Sequence, residues 1–212
     1  MGILAVGLAL GIRHALDPDH VVAITTIASR VKGVTKAAMI GAMWGIGHTL
    51  TIFVVGSAII LLKFTIPPRI GLAMEFSVGV MLVALGVFNL TGAANKLRDL
   101  PAYNAIRPMA VGIVHGLAGS AAVALIVLAA IGDSWWALAY LLTFGFGTIL
   151  GMMVMTILMV LPAGYAAQRF HSYHRGMTLA SGALSVAFGI LISYQTGIAG
   201  GLFTANPVWV PR

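Results

Sequence analysis

The chain has 212 residues, a net charge of +7 and no cysteine; 60% of its residues are hydrophobic and only 8% are charged. So few charges exclude an ordinary soluble domain and point to an all-α integral membrane protein, a single transmembrane domain over 1–212. Without cysteine there are no disulfides, no thiolate metal sites and no cysteine nucleophiles, and thiolate-held copper(I) is disfavoured.

Six segments are long enough to cross about 30 Å of hydrocarbon, near 3–28, 38–62, 70–90, 109–130, 136–161 and 178–198. The first lacks a basic leader and a small-residue cleavage site, so it reads as a span and not a signal peptide. It also carries two histidines and two aspartates within seven residues, His14-Ala15-Leu16-Asp17-Pro18-Asp19-His20. Ionisable residues inside a span mark ion pathways or relays by default. Imidazole nitrogen and carboxylate oxygen both ligate divalent cations. Any one of the four alone reads as a cap or a satisfied core histidine. Four within seven positions, in a chain with five acids and six histidines, read as a metal site.

On a continuous helix, at about 100° per residue, His14, Asp17 and His20 share one face and Asp19 points away. Pro18 interrupts that helix, because it lacks an N–H and its ring clashes with the carbonyl of His14. Asp17-Pro18 then reads as an N-cap and first helical residue, leaving the His14 carbonyl free. Two half-helices meeting at membrane depth are tolerated where they line a cavity or are buried in protein. Arg13, next to the motif, reads as neutralising one aspartate in the empty state or as a snorkelling or orienting residue.

In the second span His48 follows Trp44-Gly45-Ile46-Gly47 and precedes Thr49, and reads as a further ligand or as a histidine bonded to a neighbouring helix. Glu75 and Asn89 in the third read as structural hydrogen-bonding residues. His115 opens the fourth span before Gly116-Leu117-Ala118-Gly119-Ser120. The fifth begins after a tight turn, Gly132-Asp133-Ser134, with Trp135 and Trp136 at an interface. His171 and His174 fall in a basic loop and read as solvated. The tail, Pro207 to Arg212, reads as interfacial or loose. The eleven methionines are scattered through apolar spans and read as gap-fillers.

The spans repeat. Leu10-Gly11-Ile12-Arg13-His14 aligns with Val111-Gly112-Ile113-Val114-His115, 101 residues on. Trp44-Gly45-Ile46-Gly47-His48 aligns with Phe144-Gly145-Phe146-Gly147-Thr148 at 100, and Val83-Ala84-Leu85-Gly86 with Val186-Ala187-Phe188-Gly189 at 103. Three spans repeated as three predict inverted repeats, about 1–92 and 107–200, around a site at the midplane. His115 is then the mate of His14 and approaches the same midplane. The second copy has Ala118 and Ser120 where the first has Asp17 and Asp19, so the first half supplies the charge.

Loops after spans one, three and five hold eight basic residues: Arg30, Lys32, Lys36, Lys96, Arg98, Arg107, Arg169 and Arg175. The opposite side holds three, Lys63, Arg69 and Arg212. The positive-inside rule puts the first set in the cytoplasm and both termini outside a plasma or inner membrane. The bias accounts for the basic pI without nucleic acid.

The motif Arg13-His14-Ala15-Leu16-Asp17-Pro18-Asp19-His20, followed in the next span by Gly47-His48-Thr49, resembles the nickel–cobalt transporter family. Within it, the chain is similar to the short, six-span, urease-accessory-type nickel permeases. The likeness is close over about the first fifty residues and topological beyond them. It implies that His14, Asp17, Asp19, His20 and His48 bind or pass the ion; His115 joins them through the repeat. The expected activity is a permease for Ni2+, or Co2+, with no prosthetic group, the ion and the bilayer as partners, and room for a homo-oligomer. Nickel rests on the resemblance, since histidine and carboxylate also suit zinc, iron and manganese. A non-transporting subunit of a larger transporter is one alternative. An intramembrane metal-dependent hydrolase is another, but the chain shows no separate general base, no His-Glu-x-x-His helix and no serine-protease setting at Gly119-Ser120-Ala121. The chain is therefore expected not to be an enzyme.

Overall fold

The structure is a computed structural model describing residues 2–29, 31, 33–62, 66–93, 101–117, 131–169 and 173–210. Every long element among them is helical: α1 (Gly2–His14), α2 (Pro18–Ala28), α3 (Val34–Leu62), α4 (Pro68–Thr91), α5 (Pro101–His115), α6 (Ser134–Arg169) and α7 (Tyr173–Tyr194). A π-helical turn, Gln195–Ala199, closes α7.

Local chemistry sets the helix ends. Prolines 18 and 68 stand at the starts of α2 and α4, where a missing N–H costs nothing. Gly92 ends α4 with φ 72°, a left-handed conformation that glycine adopts without strain. The Asp133 carboxylate caps α6, accepting from the amides of Trp135 at 2.8 Å and Trp136 at 3.0 Å. Both indoles are exposed, as an interfacial belt requires.

Four helical stretches are long and apolar enough to cross a membrane: Val34–Leu62, Pro68–Thr91, Ser134–Pro162 and Arg175–Ala199. The first expected span is instead two shorter helices, α1 and α2, broken at Asp17-Pro18 as predicted. The fourth is described as far as Leu117, so Ala118, Ser120 and the Val123-Ala124 part of the repeat lie outside the described residues, as does His171. Large apolar side chains such as Val54, Leu142, Leu158 and Ile190 face outward, while His14, His20, His48, His115, Thr148 and Ser185 are buried. An apolar exterior around a polar interior suits a chain dissolved in lipid.

Small residues bring the helices together backbone to backbone. Gly11 of α1 lies against the carbonyl of Phe144 in α6, and Gly147 of α6 against that of Leu8. Gly112 of α5 lies against the carbonyl of Trp44 in α3, and Gly47 of α3 against that of Met109. Gly79 meets Gly189, and Gly86 meets Gly182, between α4 and α7. The order of these contacts makes α1 parallel to α6, α5 parallel to α3, and the pairs α3–α6 and α4–α7 antiparallel. Hydroxyls add cross-helix bonds: Thr49 to the carbonyl of Gly145 at 3.2 Å, Thr51 to Ile113 at 2.9 Å, and Ser185 to Leu82 at 2.8 Å. Asn89 is structural in the same way, donating to Ser29 Oγ, Thr178 O and Ser181 Oγ at 3.1–3.4 Å.

The tail is not loose up to Val210. The Val208 amide bonds the carbonyl of Gly200 at 3.0 Å, and the Trp209 indole lies on Gly71 and donates to Glu75 Oε1 at 2.9 Å. An indole N–H seeks a partner when its ring packs on protein, and the buried carboxylate of Glu75 supplies one.

Candidate metal centre

The site is built where α1 stops. After His14 the backbone tightens: Leu16 N–H donates to Arg13 O at 2.9 Å and Asp17 N–H to His14 O at 3.1 Å. The His14 carbonyl is therefore taken, against the expectation that Pro18 leaves it free; a 3₁₀-type bond from the residue before the proline replaces the missing α-helical one. Asp17 holds the N-cap position, with φ −61° and ψ 144°, but its side chain makes no cap bond. It turns back to accept from His14 Nδ1 at 2.9 Å.

The break also re-aims Asp19. On one continuous helix it points away; on α2 its Oδ1 accepts from His20 Nδ1 at 3.2 Å and its Oδ2 from His115 Nε2 at 3.0 Å. His48 arrives from α3, its Nε2 standing 2.9 Å from Nε2 of His14. Since His14 gives its Nδ1 proton to Asp17, its Nε2 accepts and His48 donates. The rings of His14, His20, His48 and His115 form one cluster, with centroids 4.6 Å apart for His14–His20, 5.0 Å for His20–His48 and 4.4 Å for His20–His115. All six predicted site residues thus come together, from α1, the turn after it, α2, α3 and α5.

Burial grades across the cluster. His20, His48 and His115 have no exposure, and His14 has 5%. Asp17, at 36%, is the one open member. Arg13 is exposed and makes no ion pair among the described residues; histidine, not arginine, partners each aspartate. Three buried ring nitrogens, His20 Nε2, His48 Nδ1 and His115 Nδ1, have no hydrogen-bond partner among the described residues. A buried imidazole nitrogen without a partner is costly unless something ligates it. Two trios, His14–His20–His48 and Asp19–His20–His115, each bring one donor atom per residue within 4.8 Å of the others.

Two aromatic residues touch the cluster that the sequence marks only as repeat landmarks. Phe144 of α6 lies 5.5 Å from the His14 ring. Trp44 of α3 lies 5.4 Å from His20 and 5.7 Å from His115. Their position four residues before His48 and Thr148, one helical turn away, is the signal that could have placed them. The side chain of His174 lies outside the described residues.

No protein-family model and no solved structure matches the chain. It is similar to a urease accessory protein, UreH, of Bacillus sp. (strain TB-90), with 36% identity over 218 residues covering 96% of this chain and 95% of that protein. Likeness of that degree along nearly the whole of both chains means that this protein belongs to the family of urease accessory protein UreH.

Proposed function

We propose that the chain is a multi-pass permease for a divalent transition-metal ion, nickel first and cobalt second. The ion passes through His14, Asp17, Asp19, His20, His48 and His115. The observation that carries this reading is the convergence of four imidazoles and two carboxylates, most of them buried, inside a bundle of apolar helices. A likeness to a protein named for urease accessory work supports nickel over the other ions that the same ligands accept. It also favours transport or delivery over catalysis.

The six-span inverted repeat is part of the same proposal. It is supported by contacts that occur in pairs. Gly11 on Phe144 answers Gly112 on Trp44, and Gly147 on Leu8 answers Gly47 on Met109, at the sequence offsets of 101 and 100. Corresponding helices also run in opposite directions, α1 against α5, α3 against α6 and α4 against α7. Such an arrangement works by rocking one part against another around a fixed site. The excess of basic residues after spans one, three and five orients it with both termini outside. Neutral imidazoles and ionised carboxylates capture the ion, and protonation on the far side weakens the hold.

The test is metal-resolved flux in proteoliposomes, in both directions, with and without a pH gradient. Nickel flux that saturates, and that is lost in His14→Ala and His20→Ala proteins still present in the membrane, is the expected result. Normal flux in both variants would remove the proposed site.

A further inference from the structure

The histidine cluster is flanked by matching ladders of buried side chains. On α3 they are Ala37, Ile40 and Trp44; on α6 they are Ala137, Tyr140 and Phe144. Each has 7% exposure or less, and the two sets are related by the offset of 100 residues. Because α3 and α6 are antiparallel, the ladders lead away from the histidines in opposite directions. Trp44 lies one turn before His48 on α3. Phe144 lies beyond His48, in one apolar cluster with Ile52, beside the contact of Thr49 with Gly145. The innermost rung of each ladder is a ring against a histidine: Phe144 on His14 and Trp44 on His115, at the nearly equal distances of 5.5 and 5.7 Å. His14 and His115 are themselves repeat mates.

Each ladder also holds a flaw. Trp44 Nε1 and Tyr140 Oη are buried without a hydrogen-bond partner among the described residues. An unpaired N–H or O–H destabilises the closed arrangement and gains a partner once water enters. A plug wholly satisfied when shut would have no such bias toward opening.

We propose that Trp44 and Phe144 are the two gates of the permeation path, one on each side of the ion site, and that the structure is the state with both closed. The inference rests on the permease reading. It makes opening of one face the movement of one ladder while the other stays packed. The rings are positioning and gating residues; they do not ligate the ion.

The chain has no native cysteine, so a single reporter, His48→Cys, can be placed between the rings. It is labelled in membrane vesicles with a small, charged, impermeant thiol reagent, from either face in separate experiments. Adding Phe144→Ala should speed labelling by about ten-fold or more from one face only, and adding Trp44→Ala by a similar factor from the opposite face only. Phe144→Leu and Trp44→Leu, which keep apolar bulk, serve where an alanine variant fails to reach the membrane and should show the same sidedness, more weakly. Faster labelling from the same face in both variants, from both faces in either, or no change in any pair overturns the proposal. Labelling needs no metal. Nickel and cobalt flux is measured separately in the chain that keeps His48. Correct sidedness of labelling with no flux in that chain would sink the permease reading and leave only an apolar closure on each side of the cluster, whereas flux with wrong sidedness would sink the gates alone.

Discussion

His20 is the residue on which the cluster turns: it is fully buried, touches three other histidines, holds Asp19 through Nδ1 and belongs to both candidate trios. Replacing it should therefore cost more than replacing Asp17, whose side chain is partly exposed and bonds only His14 among the described residues. Removing a partner that merely orients a ligand weakens metal affinity by about 10–100-fold. Asp17→Ala should fall in that range, and His20→Ala should leave no binding measurable by calorimetry with nickel. The reverse order would mean that the open aspartate, not the buried imidazole, holds the ion. Ligation needs neutral imidazole and ionised carboxylate. Nickel binding should consequently release protons and weaken as pH falls, which calorimetry in buffers of different ionisation enthalpy will show as a buffer-dependent heat. Pro18→Ala tests the backbone. Because the His14 carbonyl already accepts from Asp17 N–H and alanine suits a first helical position, affinity should stay close to that of the native chain. A large loss would require the proline itself to hold the two half-helices apart.

Helix contacts depend on the absence of side chains at particular positions. A Cβ on Gly112 would collide with the carbonyl of Trp44, and neither backbone can yield cheaply. Gly112→Ala should therefore destabilise the protein by about 1–3 kcal/mol or more, as overpacking does. It should also loosen His115, three residues on. Gly176→Ala on α7 is the contrast: a Cβ there meets nothing within 4 Å among the described residues. The substitution should be neutral or stabilising by about 0.4–1 kcal/mol, because alanine loses less backbone freedom in a helix. Thermal unfolding in detergent with the two variants side by side checks both. Equal stability would mean that α3 and α5 are not packed backbone to backbone. The broken first span has a similar origin: two short helices, neither long enough to cross alone, persist because α1 packs on α6 and α2 on α7.

Across the whole chain, the proposed orientation rests on the bias of eight basic residues against three. Cysteines introduced beside Lys32, Arg98 and Arg169 should resist an impermeant thiol reagent added outside cells. A cysteine beside Arg69 should react. Ready labelling of the first three from outside would invert the orientation and exchange which gate faces the cytoplasm.

The apolar helical architecture, the break at Pro18 and the candidates His14, Asp17 and His20 were legible in local facts, whereas Asp19 and His48 became candidates through the resemblance to a family and His115 through the repeat. Hydropathy sets spans, proline removes a donor, and ionisable groups are rare enough in apolar segments to stand out. What the tertiary structure decided are the relations between elements. Asp19 looked misdirected because a helical wheel assumes one axis, and the kink supplies two. The His14 carbonyl looked free because the amide that reaches it, from Asp17, belongs to a tightened turn that spacing does not reveal. The tail looked interfacial or loose because its anchor, Glu75, lies 134 residues from Trp209. Trp44 and Phe144 were visible only as repeat landmarks, since a buried aromatic residue in an apolar span is ordinary until its neighbours are known. Local chemistry is written in adjacent residues; which histidine meets which ring depends on how close two glycines let their helices approach.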